Sequence, residues 1–425
     1  MLDAFTRTWA LLLGMFLLMV GNGLQGTLLA IRGAIEGFST LEMSLVMSAY
    51  FLGFLGGSHL TPELIRRVGH VRVFAAMGSF ISAILILYPT ITDPVAWMLL
   101  RVLTGFCFSG VYVTAESWLN RAVSNENRGK ALSLYMIVQM GGIVAAQGVL
   151  LTGDPSGFIL FIIPSVLVSI SFAPILLSVQ PTPVYETTKP MSFLQLFRVS
   201  PLGCIGMFIM GGVFSALFGM ASVYGTESGM SVSQISAFVA SIYIGGLLLQ
   251  APIGYASDRM DRRKLVLAAA VTGAVAALAA IALPGYAAVL VAGFLVGGMS
   301  NPTYALLIAH TNDYLDYDDM AAASGRLIFI TGIGAVSGPL VAGALMGQIG
   351  PQGFFIFLAA LFAVLAGYAG WRMTRRPATP VDETMGYAAI LPSASPVAME
   401  AAIETGQEEE QDTQQGDTRA QSDAT

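Results

Sequence analysis

Apolar residues run along this chain in long, nearly uninterrupted stretches, and polar residues collect in the short gaps between them. Twelve stretches come near the ~20 residues that an α-helix needs to span a bilayer. They are 8–30, 43–60, 73–90, 94–117, 131–151, 157–178, 201–223, 235–253, 264–283, 286–308, 325–347 and 353–371. Runs this long and this continuously apolar fit helices, not the strands of a barrel. The pattern predicts an all-α membrane protein of twelve transmembrane helices in two pseudo-symmetric six-helix bundles.

The longest internal connection, 179–200, holds Pro181, Pro183 and Pro190 and separates two sets of six. The predicted organisation is an N-terminal bundle at 1–178, a cytoplasmic linker at 179–200, a C-terminal bundle at 201–371 and a tail at 372–425. The halves also repeat. A slide of 192 residues lays the second helix on the eighth without a gap: Ser39 on Ser231, Ser44 on Ser236, Gly53 on Gly245, Pro62 on Gly254, Arg67 on Arg259 and Arg72 on Lys264. Weak sequence symmetry between six-helix halves is how many transporters are built.

Composition sharpens this picture. Of 425 residues, 55% are hydrophobic and 11% charged, with mean hydropathy +0.72. A soluble domain of this size carries far more charge. The net charge of −6 belongs to the tail, since 377–425 holds ten acidic residues against Arg419 alone. That tail is rich in Pro, Ala, Glu, Gln and Thr, so it is predicted to be disordered. With the N-terminus in the cytoplasm, all but Arg32 and Arg101 of the 20 Lys and Arg fall in cytoplasmic loops, helix ends or tails. The positive-inside rule then puts both termini in the cytoplasm of a bacterium, with the chain in its inner membrane. Met1–Arg7 leads into an apolar run without a small-residue cleavage site, which reads as an uncleaved first helix. Cys107 and Cys204 lie inside apolar runs and read as packing residues.

The loop after the eighth helix reads Gly254-Tyr-Ala-Ser-Asp258-Arg259-Met-Asp-Arg262-Arg263-Lys264. It resembles the short basic loop G-x-x-x-D-R-x-x-R-R/K of the major facilitator superfamily, and the resemblance extends over nearly the whole chain up to Arg376. It implies a cytoplasmic latch. Gly254 would allow close helix contact, and Asp258 would pair with Arg259 and Arg262 in one state and release them in another. The first-half copy departs from the pattern: Pro62 replaces the glycine and Arg66, followed by Arg67, stands where the Asp belongs. Glu116, at the inner end of the fourth helix, is the expected substitute partner for that basic loop. Together with Glu116-Ser117 and Asn127-Arg128-Gly129, this loop is similar to the YcaD-like branch of bacterial transporters.

Arg101-Val-Leu-Thr-Gly105 resembles the R-x-x-x-G motif of the family's fourth helix, associated there with proton coupling. At 1.5 Å per residue Arg101 lies ~10 Å deep. A cation at that depth must face a wet cavity or polar partners. Asn22 and Gln147 on the first and fifth helices fall at a similar depth, and Gln25 and Gln139 join them as candidates for substrate binding or coupling. The cluster either binds an anionic group or proton, or solvates Arg101 as structural glue. In the second half Tyr243, Gln250, Asn301 and Tyr304 sit on cavity-side helices. Gly334-Ala-Val-Ser-Gly338-Pro339 is similar to an antiporter signature of the family, but one that belongs on the fifth helix. Asp313, Asp316, Asp318 and Asp319 form an acidic cytoplasmic loop without convincing calcium spacing, expected to be solvated or to face the basic loops.

No P-loop, H-x-x-x-H pair or nucleophile elbow is present, which argues against an ATP-driven pump or an enzyme. The expectation is a monomeric secondary transporter of a small solute, working by alternating access. Its partners would be that solute, with an anion and protons as candidates, and membrane lipids. No nucleic acid, cofactor or metal is implied. The alternative is a non-transporting sensor on the same fold.

Overall fold

The computed structural model describes residues 2–123, 125–177, 191–375, 380, 384 and 386–404. Among them there is no strand, and eleven helices are long and apolar enough to cross a membrane. In the first half these are α1 (Leu2–Ile35), α2 (Thr40–Val68), α3 (His70–Leu87), α4 (Pro94–Ala122) and α5 (Asn125–Leu150). The apolar α6 (Ile159–Leu177) completes the six. A short helix, α7 (Phe193–Val199), follows and begins at a Ser192 capping box. Residues 178–190 of the expected linker lie outside the described residues.

In the second half α8 (Pro201–Ser215), a π-helical turn (Ala216–Met220) and α9 (Ala221–Glu227) form one span. Then come α10 (Val232–Ser257), α11 (Arg262–Ala282), α12 (Tyr286–Asn312), α13 (Tyr317–Ile349) and α14 (Gly353–Met373). A last helix, α15, covers 396–404. Loops carrying Arg66, Arg67, Arg259 and Arg262 all gather at one end of the molecule, here called the basic face.

The internal repeat is structural as well as sequential. Ser39 caps α2 with Glu42 as Ser231 caps α10 with Gln234, each a reciprocal capping box. Before these caps Gly37 and Gly229 both take positive φ, at 79° and 69°, a conformation that disfavours any side chain. Helix crossings repeat too. A Cβ on Gly53 would run into the Val102 carbonyl oxygen, and one on Gly105 into that of Tyr50. At the equivalent places Gly245 meets Phe294 and Gly297 meets Ile242 in the same way. Within each half, two helices therefore touch backbone to backbone, the closest packing that small residues permit in lipid.

The two bundles meet in the half away from the basic face. There Thr40 Oγ1 donates to Glu227 Oε1 at 2.8 Å and Ser48 Oγ to the Val336 carbonyl at 2.6 Å. Toward the basic face the gap between them holds a piece of the C-terminal tail. Composition predicts a tail disordered from 372 onward, but 386–404 is packed against both bundles. Leu391, Met399, Ala402 and Ile403 are buried, and Met399 is fully so. The reason is local: this stretch is apolar, and the acidic run that dominates the tail's average begins after it. Residues 405–425 lie outside the described residues.

Gly105→Ala should cost about 1–3 kcal/mol, the usual range for forcing atoms into a filled site. Gly148, by contrast, has open space within 4 Å. Thermal unfolding in detergent should show a lowered midpoint for Gly105→Ala and none for Gly148→Ala.

Candidate functional site

Halfway along the helices the bundles enclose a cavity of about 810 Å³, its open mouth included. Both halves supply aromatic walls. Tyr50 and Phe54 stack at 6.1 Å on α2, and Tyr50 stacks on Phe218 of the π turn at 5.4 Å. Phe51 meets Phe214 edge-on at 6.0 Å. A π turn packs more residues per turn than an α-helix, and such turns recur at functional sites. Here Phe218 lies within the turn and Phe214 just before it, and both line the cavity. Its polar groups are few: the hydroxyls of Tyr50, Tyr112, Tyr243, Ser58, Thr331 and Ser393, and the amides of Gln139 and Asn301. Asn301 Nδ2 lies 3.8 Å from Met140 Sδ. No charged side chain is among the described lining residues.

Arg101 is not at that surface. It is fully buried, with its guanidinium carbon 4.7 Å over the Tyr50 ring and Nη2 3.4 Å from Met47 Sδ. Tyr50 thus turns one side to the cavity and shields Arg101 with the other. A desolvated cation–π contact of this kind is worth ~2 kcal/mol. Around it Asn22 borders Tyr50 and Gln25 borders Tyr88, whose hydroxyl meets Thr104 Oγ1 at 3.2 Å. Arg101 Nε and Nη1 have no hydrogen-bond partner among the described residues. Of the two amides expected at the depth of Arg101, Asn22 joins its cluster, and so does Gln25. Gln147 accepts instead from Thr27 at 3.1 Å, and Gln139 lines the cavity. In the second half Tyr243 and Asn301 line the cavity, Tyr304 is buried behind it, and Gln250 faces the basic side.

On the basic face the expected pairings are rearranged. Arg66 and Arg67 both reach back to Glu63, at 2.6 and 2.7 Å, and are exposed. Glu116 does not meet them. It is buried, and Oε2 accepts from the Ser395 backbone N–H at 2.8 Å. Arg128 pairs with Glu404. Gly254 does not serve a helix contact: a Cβ there would stand 2.6 Å from the Tyr387 ring. Asp258 accepts from the Tyr387 backbone N–H at 2.8 Å rather than bonding an arginine. Arg259 stacks on Tyr255 at 3.6 Å. Arg262 is buried and pairs with Asp313, also bonding Ser257 Oγ at 3.1 Å. Thus one member of the acidic loop is an ion-pair partner and not a solvated charge. Asp261 pairs with Arg263 at 2.9 Å. Partial burial pushes the Asp261 carboxyl up, but the Arg263 side chain and backbone N–H outweigh it and hold the group below its usual value.

These helices and this crossing pattern match a known family. The model of the Major Facilitator Superfamily matches residues 11–231 and again 203–395. The chain belongs to that superfamily. A protein named uncharacterized MFS-type transporter YcaD from Escherichia fergusonii is 29% identical over 366 residues, covering 85% of this chain and 94% of its own. The crystal structure of the nucleoside transporter NupG shares the fold with a TM-score of 0.71 at 15% identity, over 87% of this chain and 99% of that one. A bacterial homologue of the lysosomal transporter Spinster, inward-facing and unoccupied, gives 0.67 at 13% identity, over 95% and 98%.

This major facilitator protein is therefore a multi-pass membrane transporter. Sequence reasoning missed its aromatic walls, because Phe and Tyr in an apolar helix carry no mark of the face they take. One signal was available: Tyr50 and Phe54 stand one turn apart and flank Gly53, the glycine that anchors the repeat.

Removing one partner of a buried ion pair strands the other charge, at a typical cost of about 3–5 kcal/mol. Asp313→Asn should lower the thermal midpoint accordingly, while Arg262→Met with Asp313→Leu should recover much of the loss. A neutral Asp313→Asn would show the pair to be solvated.

Proposed function

We propose that the protein is a secondary transporter that carries a small, neutral solute with an aromatic or apolar part through the central cavity by alternating access. The basic face is the cytoplasmic side of a bacterial inner membrane in this reading. One observation carries it: a cavity walled by aromatic rings from both bundles lies where they meet, and the bundles themselves shut it on one side only. Concave sites that are mostly apolar with a few convergent polar groups are the usual form of small-molecule sites.

The closure on the far side rests on contacts weak enough to break and remake. Thr40–Glu227 and Ser48–Val336 are hydrogen bonds, each worth net about 0.5–1.5 kcal/mol. An anionic solute at Arg101 is not favoured, because Tyr50 stands between that guanidinium and the cavity and no cation lines the wall. Arg101 instead holds Tyr50 in place. Proton coupling, in this reading, falls to Glu116, the carboxyl buried between the cavity and the basic face.

The test is a thermal-shift screen of the detergent-purified protein against neutral aromatic metabolites, nucleosides among them, followed by uptake of each hit into proteoliposomes. Tyr243→Ala and Asn301→Ala should each weaken binding and raise KM at least ten-fold, while Arg67→Ala leaves both unchanged. Stabilisation by carboxylates or phosphates alone, lost in Arg101→Gln and kept in Tyr243→Ala, would overturn the neutral-solute reading.

A further inference from the structure

The C-terminal segment 386–404 makes contacts that a loose tail would not. Its start is fixed to the second bundle. The Tyr387 ring packs over Gly254, its hydroxyl accepts from Gln250 Nε2 at 2.9 Å, and its backbone N–H donates to Asp258. Its middle enters the solute path: Leu391, Pro392 and Ser393 complete the wall of the central cavity on the basic side. Its end is fixed to the first bundle, through Ser395 N–H on Glu116 and Glu404 on Arg128. Between these ties, Leu391 packs with Met136 and Met140 of α5. The segment thus bridges two bodies and fills the opening between them.

We propose that residues 386–404 are a tethered plug, a length of this chain's own tail that closes the cavity toward the basic face and must leave before solute can pass. The proposal deepens the transport reading and rests on the cavity being its path. Two features fit a plug that comes and goes. It sits on the side where the bundles are otherwise apart, so its site exists only while that side is open. It also covers Asp258 and Gly254 of the basic-loop motif, together with Gln250 and Glu116, so that docking ties up groups on both bundles at once.

The experiment reads access to the plug's site, not transport. Met136 is 7% exposed beneath Leu391, and the native Cys107 and Cys204 are buried. Met136→Cys is introduced in the full chain, in a chain ended after Arg376, and in a full chain carrying Tyr387→Ala with Met399→Asp. Each purified protein is then labelled with a water-soluble maleimide. The truncated and substituted chains should label at least ten-fold faster than the full chain. Leu391→Cys with Met136→Cys in the full chain should close a disulfide under mild oxidation, which keeps the test decisive should the truncation misfold. Equal labelling of all three chains, or no disulfide, overturns the plug. Uptake by the same proteins separates the two readings. Faster labelling with no solute moved by the truncated chain leaves the plug and removes the transporter; uptake with equal labelling does the reverse.

Discussion

Lipid gives two helices no hydrophobic reason to associate, since a neighbouring acyl chain is as apolar as a leucine. What remains is close approach, and here it depends on glycine set against a carbonyl oxygen. Gly53 and Gly105 join α2 to α4, and Gly245 with Gly297 join α10 to α12. Everything at the centre hangs from those two crossings. Tyr50 offers its carbonyl to the Gly105 contact, and its ring covers Arg101 while facing the cavity. A shift at the crossing would move the aromatic wall and the shield over the buried cation together.

Repetition gives the two halves matching frames, but the frames are filled differently. The glycine crossings and the Ser39 and Ser231 caps are shared. Arg101 has no counterpart, since its repeat position is Gly293, and the π turn with Phe218 belongs to the second half alone. The chemistry of the cavity comes from the positions where the repeat fails, laid over a scaffold where it holds.

Much of the scaffold could be read from the sequence because lipid imposes it. Spans must be apolar over a fixed length, and basic residues mark one face, so the helices and the two halves stood out. Pairings could not be read, because they depend on which helix faces meet. Glu116 pointed toward the Arg66 loop by its place at the inner end of the fourth helix, yet α4 turns it to the tail. Asp313 is one of four acids that could lie in solvent or face the basic loops, and only the meeting of helix ends puts it against Arg262. The tail misled through averaging. Tyr387–Leu391 and Ala398–Ile403 are short apolar clusters, and the acidic run beyond them hides both in any long window.

The way 386–404 is attached also sets how strongly it must bind. Only 13 residues separate Met373, the end of α14, from Tyr387. A group held to its site by so short a leash meets it at an effective concentration of about millimolar order. A segment with an intrinsic affinity of only about 0.1 mM would therefore occupy its groove about nine-tenths of the time. The same peptide cut free and diluted to micromolar would scarcely bind. Weak contacts suffice when the ligand never leaves the neighbourhood.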